Sequence, residues 1–381
     1  MIILNVNSTF GLLEGGGTAE RTFKICRSFS RFNAKCIILT LNFGLDKNWV
    51  ESLLPSKVVA LSTFLERFYF PSFNLVKIFT LVKESDIVHL MGHWSILNVF
   101  SYIAIRHYKK AYVVCPAGAL PVFGRSRLLK VLYNKIIGRS IVKNAHGWIA
   151  ITSSEFSAFA EYGISAKQIS VIPNGVSEND FTYTDIDAFR IKMNLSNMPV
   201  ILFVGRLNKI KGPDLLLKAF ALCKGKVPEH QLVFVGPDDG MKSNLIQMAK
   251  ELGVTNSVSF LGFISGDDKS AAYRLASLLV VPSRSEAMSI VALEAGICKT
   301  PAMLTDQCGF SEIRTIHKDL EVPANTEGIA KGLVNFFSQP DATKKYGESF
   351  YNLVSKKYTW DAASKKYLDL YNKLLVRNIP S

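Results

Sequence analysis

The sequence lacks any cysteine pattern that reads as a framework. Its six cysteines, Cys26, Cys36, Cys115, Cys223, Cys298 and Cys308, are scattered, with no CxxC and no clustering with histidine. That spacing excludes a disulfide scaffold and a zinc ribbon, and fits buried thiols in a reducing compartment. No basic, apolar leader is visible: MIILNVNSTF reads as a strand starting almost at residue 1. The longest run free of Asp, Glu, Lys and Arg, Ile87 to Ile105, carries His89, Gly92, His93, Ser95, Asn98 and Ser101, which are costly in hydrocarbon. It is read as a buried strand followed by a helix, and the protein is expected in the cytoplasm. GxGxxG, Walker A and nucleophile-elbow motifs are missing, which disfavours NAD binding, ATP hydrolysis and Ser/His/Asp catalysis. Acid is missing from a whole stretch: no Asp or Glu lies between Ile87 and Ser154, while nine Lys and Arg occur from Arg106 to Lys143.

What is present is a globular composition, 48% hydrophobic and 20% charged, over 381 residues, enough for two domains. The net charge of +14 favours anionic partners. IILNVNST, CIILTL, KVVAL, DIVHLM, AYVVCP, GWIAIT and ISVIP are continuous apolar runs, as buried parallel strands require, with helical patterns between them. PNGV at 173–176 and the polar SENDFTYTD then interrupt the chain. A second series follows: PVILFVG, QLVFVGP, SVSFLGF, LLVVPS and TPAMLT. The expectation is α/β, two facing Rossmann-like domains with a cleft between them, over 1–177 and 178–355, with a final amphipathic helix over 356–381.

Several constellations fall after strands. Gly15-Gly16-Gly17 opens a helix; it suits an anion at a helix N-terminus, or simply a tight turn. VGRLNKIKG at 204–212 presents Arg206 and Lys211, two cations that suit a diphosphate, although basic loops are also often just solvated. In VPSRSEAMSIVALEAG at 281–296, seven residues separate Glu286 from Glu294. A helical interval would span about 12 Å, comparable with the reach from a sugar to a ribose across a diphosphate. A helix start around Ala287 to Ile290 would offer free N–H groups. The plainer reading is two carboxylates with no shared task.

His89 and His93 in DIVHLMGHWS are more often packed than reactive at an apolar strand end. With Cys115 they lack further ligands, so no metal is expected. GRSRLLKVLYNKIIGRSIVK at 124–143 reads equally as a membrane-surface helix and as a core helix with a basic outer face. Asp185-Ile186-Asp187 has a DxD form but sits where a helix N-cap is expected. Asp238-Asp239 and Asp267-Asp268 read as loop residues.

With these pieces in order, the chain resembles the retaining GT-B glycosyltransferases of family four over nearly its full length. GGGTAE, DIVHLMGHWS, VIPNGV, VGRLNKIKG, VPSRSEAMSIVALEAG and TDQCGFSEI carry the resemblance, the E-x7-E element with its upstream Arg and Lys most specifically. The resemblance implies that Arg206 and Lys211 hold a donor diphosphate with backbone groups of Met288, Ser289 and Ile290. It implies Glu286 beside the donor sugar, Glu294 on the ribose, Gly262, Phe263 and Ile264 along the base, and Gly16 and Gly17 near phosphate or acceptor. The final helix would brace the N-terminal half. No metal or cofactor is implied beyond a nucleoside-diphosphate sugar as co-substrate.

Two departures stand out. Ala117 occupies the position where many relatives place histidine, and the frequent His-x-His becomes His89-Leu90-Met91, leaving His93 as a candidate imidazole. Ala287-Met288-Ser289 replaces a frequent Gly-Phe-Gly. The leading expectation is a bacterial-type enzyme building surface polysaccharide on a lipid-linked acceptor, peripheral on the cytoplasmic face of the inner membrane and drawn to its anionic surface. A soluble small-molecule acceptor and a degenerate nucleotide-sugar-binding module are the alternatives. Nucleic acid is not expected, since the basic stretch has few aromatics and no recognisable motif.

Overall fold

A computed structural model describes residues 1–11, 15–45, 47–65, 70–71, 74–122, 126–182, 185–339 and 341–377. The chain forms two units, one of Met1–Asn174 and the segment from Trp360 onward, the other of Gly175–Thr359. Val176 and Thr359 form a short parallel bridge, and Val176 N–H donates to the Tyr358 carbonyl at 2.8 Å. That pairing keeps both residues in the second unit, where 177 and 355 were the limits read from sequence.

In the first unit the strands are β1 (Ile2–Val6), β2 (Lys35–Leu41), β3 (Lys57–Leu61), β4 (Thr63–Leu65), β5 (Phe70–Pro71), β6 (Ile87–Met91), β7 (Ala111–Cys115), β8 (Gly147–Ala150) and β9 (Ile169–Val171). Seven of them make a parallel sheet in the order β3-β2-β1-β6-β7-β8-β9, while β4 and β5 pair antiparallel beside it. The second unit contains β10 (Val200–Val204), β11 (Gln231–Val235), β12 (Val258–Gly262), β13 (Ala276–Val281), β14 (Ala302–Thr305) and β15 (Glu321–Val322). They form a parallel sheet in the order β12-β11-β10-β13-β14-β15. The apolar runs of the sequence are strands of these two sheets because both faces are covered.

In the first unit, alternation along β1 sends Leu4 and Val6 to a core with Ile78, Leu97 and Ile105, and Ile3 to a core with Phe23, Phe29, Tyr367 and Tyr371. The helix Trp360–Arg377 belongs to that second layer. Fully buried Arg21 ties it in, donating to the Tyr367 hydroxyl at 2.7 Å, Asn174 Oδ1 at 2.5 Å and the Ile172 carbonyl at 2.6 Å. These acceptors satisfy a guanidinium that would be costly to bury unpaired.

Both sheets reverse direction once, between β1 and β6 and between β10 and β13. Open parallel sheets bind ligands outside the carboxyl ends of strands at such switch points. The segment Ile87–Ile105 is β6 and the opening of the helix Ile96–Tyr108. Among the described residues, no helix is long and apolar enough to cross a membrane.

Candidate functional site

At the β10/β13 switch, the loop after β10 meets the loop after β13. Gly212 lies at φ +69°, and a Cβ there would run into the Pro282 carbonyl, so only glycine lets the two loops pass. Arg284 locks the crossing. Its guanidinium donates to both Asp214 carboxylate oxygens at 2.7 and 2.8 Å and to the Lys209 carbonyl at 2.7 Å. Its backbone N–H donates to the Ile210 carbonyl at 2.7 Å. Burial pushes the Asp214 carboxyl up, but the bonds from Arg284 and Lys209 outweigh it and hold the group below its ordinary range.

The crossing brings together two of the expected residues. Lys211 Nζ lies 2.8 Å from Glu286 Oε1, and the Ser283 hydroxyl donates to Glu286 Oε2 at 3.0 Å. Glu286 N–H donates to the Gln307 carbonyl at 2.9 Å. From the loop after β14, Gly309 at φ +60° presses so close that a Cβ would strike the Ala287 carbonyl. Arg206 is half-exposed and 3.5 Å from Asp239. Asn208 connects the pieces, donating to Asp239 at 2.8 Å and accepting from Lys211 N–H at 3.0 Å.

The interval between the two glutamates is not one helix. Residues up to Ser289 form a loop, and the helix Ile290–Ile297 begins later than Ala287. Its N-terminus has no side-chain cap, and the Ser289 hydroxyl, fully buried, has no hydrogen-bond partner. Met288 is buried just before it. Glu294 lies inside this helix at 3% exposure. Its two oxygens meet Lys269 Nζ at 2.7 Å and the Tyr273 hydroxyl at 2.5 Å, both from the helix Gly266–Leu275. Each glutamate therefore has its own lysine. Gly262 ends β12 at φ +72°, followed by exposed Phe263 and half-buried Ile264.

In the first unit, Gly16 begins the helix Gly16–Phe29 at φ +54°, with Gly17 exposed beside it. Asn7, at the end of β1, donates to the Thr18 carbonyl at 3.2 Å and to Thr22 at 3.0 Å, orienting that helix start. His89 is wholly buried, meets the Tyr371 hydroxyl at 2.8 Å, and burial followed by the Arg21 charge lowers its pKa to about 3. His93, expected as an imidazole for chemistry, is 4% exposed among Trp94, Tyr133 and Tyr162. Its Nε2 is 2.8 Å from Asn134 Oδ1, and burial holds its pKa down to about 4. In this arrangement the ring anchors the segment carrying Asn134. Ala117 adopts φ +53°, a left-handed conformation uncommon outside glycine.

Asp185 caps its helix, accepting from the N–H groups of Asp187 and Ala188 at 3.0 Å. Asp238 accepts from three backbone N–H groups of its turn. Asp267 and Asp268, read as loop residues, fall in the first turn of Gly266–Leu275, where their charge complements the helix dipole. Lys269, Tyr273, Ser283, Arg284 and Asp214 were not read as partners from the sequence. Ser283 and Arg284 lie within the 281–296 motif itself, and Pro213-Asp214 at a helix start is a local signal that could have marked Asp214.

Residues 15–180 match the model of Glycosyltransferase Family 4, and residues 185–352 that of Glycosyl transferases group 1. A D-inositol 3-phosphate glycosyltransferase of Gordonia bronchialis is 27% identical over 262 residues, 63% of this chain and 55% of that protein. An uncharacterized glycosyltransferase of Methanocaldococcus jannaschii is 31% identical over 214 residues, 54% of each. The chain thus spans about half the length of the curated relatives it matches. The crystal structure of Anabaena Alr3699/HepE in complex with UDP and glucose superposes with a TM-score of 0.79 at 20% identity, covering 98% of this chain and 100% of that one, a likeness of fold. With one model on each sheet-bearing unit, the chain belongs to the family 4, group 1 glycosyltransferases of GT-B fold.

Proposed function

We propose that the protein is a retaining glycosyltransferase that moves a sugar from a nucleoside-diphosphate sugar to a lipid-linked glycan acceptor in surface polysaccharide assembly. It would work without a metal, peripheral on the cytoplasmic face of the inner membrane. One observation carries the reading: Lys211 and Glu286 meet at a switch point beside an uncapped helix N-terminus with a buried, unpartnered serine hydroxyl.

In the reaction, the bond from the anomeric carbon to the diphosphate breaks and its electron pair leaves with the phosphate. The acceptor hydroxyl attacks from the same face, and its proton passes to the departing phosphate oxygen. Lys211, Arg206 and the N–H groups from Met288 to Ile290 would stabilise the charge building on the leaving group. A phosphate oxygen that takes up the Lys211 ammonium competes with Glu286, freeing that carboxylate to meet the sugar. Glu294, with Lys269 beside it, would bind the ribose, and Gly262, Phe263 and Ile264 would line the base, the exposed ring offering a stacking face. Gly16 and Gly17 would meet acceptor or phosphate in the first unit. His93 has no part in this scheme.

The acid-free basic stretch of the first unit supports an anionic membrane surface and a diphosphate-bearing lipid acceptor. The Gordonia relative's name supports a second reading, a soluble phosphorylated polyol acceptor for the same basic unit. The test is product formation with chelator present, from UDP-, GDP- and ADP-sugars, offering a polyprenyl-diphosphate glycan or inositol phosphate as acceptor. Transfer to the lipid glycan supports the first reading and transfer to inositol phosphate the second. Neither transfer nor donor hydrolysis would point to a binding module.

A further inference from the structure

A surface helix normally turns its apolar side chains inward. The helical run from Arg127 to Lys143, built as Arg127–Tyr133, a π-helical stretch Asn134–Gly138 and Arg139–Lys143, does the reverse at its start. Leu128, Leu129, Val131, Leu132 and Ile136 are 86, 55, 50, 51 and 67% exposed. Gly124 and Arg125, counted with this segment in the sequence, lie outside the described residues.

The underside is what is polar and aromatic. The Tyr133 hydroxyl donates to the His93 carbonyl at 2.8 Å. The Asn134 amide donates to the Tyr162 hydroxyl at 2.8 Å, while its oxygen meets His93. The Lys130 ammonium lies 5.5 Å from the centre of the Trp94 ring. The run is thus fastened by these hydrogen bonds and rings at its start and by Ile137, Ile141 and Val142 in the core toward its end, not by its leucines. Single exposed leucines are ordinary, but five apolar side chains on one short run form a patch.

Around that patch stand Arg127, Lys135, Arg139 and Lys143, all exposed. The sequence from Ile87 to Ser154 contains no carboxylate, and Arg139 donates to the Glu161 carbonyl at 3.2 Å beside the Tyr162 ring. An isologous contact with a second copy would press these like charges together. An anionic bilayer supplies the opposite sign along its surface and an apolar layer beneath it.

We propose that this outward face is a lipid-docking surface, with Leu128, Leu129, Leu132 and Ile136 entering the headgroup boundary and Arg127, Lys135 and Arg139 meeting lipid phosphates. The inference rests on the membrane contact proposed above and gives it a location. It is independent of the donor site.

The experiment is co-sedimentation of the full chain with phosphatidylcholine vesicles, and with vesicles containing about a third phosphatidylglycerol. Wild type should bind the anionic vesicles, more weakly at high salt, and the double variant L128E/L132E should lose affinity at least about tenfold. Melting temperature and donor hydrolysis, read without lipid, should stay at wild-type values. Equal binding by variant and wild type, or no binding to anionic vesicles, overturns the docking face. So does a dimer in sedimentation velocity that the same substitutions dissolve, which would assign the face to a second copy. Loss of hydrolysis in wild type with lipid binding intact would overturn the transferase reading and leave this one standing.

Discussion

Lys211 and Glu286 reach one another from loops that follow different strands, β10 and β13, and their ammonium and carboxylate lie 2.8 Å apart. Neither side chain is more than about a quarter exposed, so the pair sits where a fixed charge acts through little water. If Lys211 serves a departing diphosphate, K211A should lower kcat/KM for transfer by about a hundredfold or more. Release of nucleoside diphosphate measures this; the substitution also leaves the Glu286 carboxylate, 14% exposed, with its bond from Ser283 but without its lysine, so the melting temperature should fall modestly as well.

Arg284 should matter to the fold itself. Asp214 is 4% exposed and its carboxylate is gripped at both oxygens. R284A would leave that charge without its main partner, a loss of about 3 kcal/mol in urea unfolding at neutral pH. Asp214 is held below its ordinary pKa, so the unfolded chain takes up this proton first as pH falls. Its stabilisation is complete above the unfolded carboxyl value and drains below about pH 4. D214N should therefore start less stable than wild type and lose less on acidification through that range.

These two loops show how far the sequence could be read. Continuous apolar runs marked the strands of both sheets except β15, two residues long, and the antiparallel pair β4 and β5, which is too short to show a period. Glu286, Lys211 and Arg206 were legible because each follows a strand closely. Lys269 and Tyr273 were not, since they reach Glu294 from another helix and only packing joins them. The helix start falls at Ile290, the late end of the range Ala287 to Ile290 read from sequence, the loop through Ser289 being held by tertiary contacts such as Glu286 N–H to Gln307.

His93 gives a pH signature. Burial holds its pKa down to about 4, against the opposing bond to Asn134. An unfolded histidine titrates near about 6.5, so the unfolded chain binds this proton first. The group's stabilisation is whole above that pH and falls away toward pH 4. H93Q keeps a hydrogen-bonding group that cannot titrate, and its unfolding free energy should fall less than wild type's over that interval, by about 2 kcal/mol. Urea titrations at neutral and acidic pH measure the difference.

Gly309 tests the packing behind the site. G309A would place a side chain at φ +60° against the Ala287 carbonyl, between Glu286 and the helix start. The loop must shift, and donor affinity should fall by about tenfold. G240A, also left-handed at φ +88° but with open space around it, should leave donor affinity near wild type.

The central claim is that the second unit binds a nucleoside diphosphate at the Lys211–Glu286 crossing, and thermal melting with UDP, GDP and ADP, each with and without magnesium, tests it most directly. A ligand bound only by the folded chain stabilises it by about 2.7 kcal/mol at a hundredfold excess over its dissociation constant. The account predicts that one nucleotide raises the melting temperature with or without magnesium, and that R206A and K211A abolish the rise. A cooperative melt that none of the three nucleotides shifts, or a rise that survives both substitutions, would contradict it.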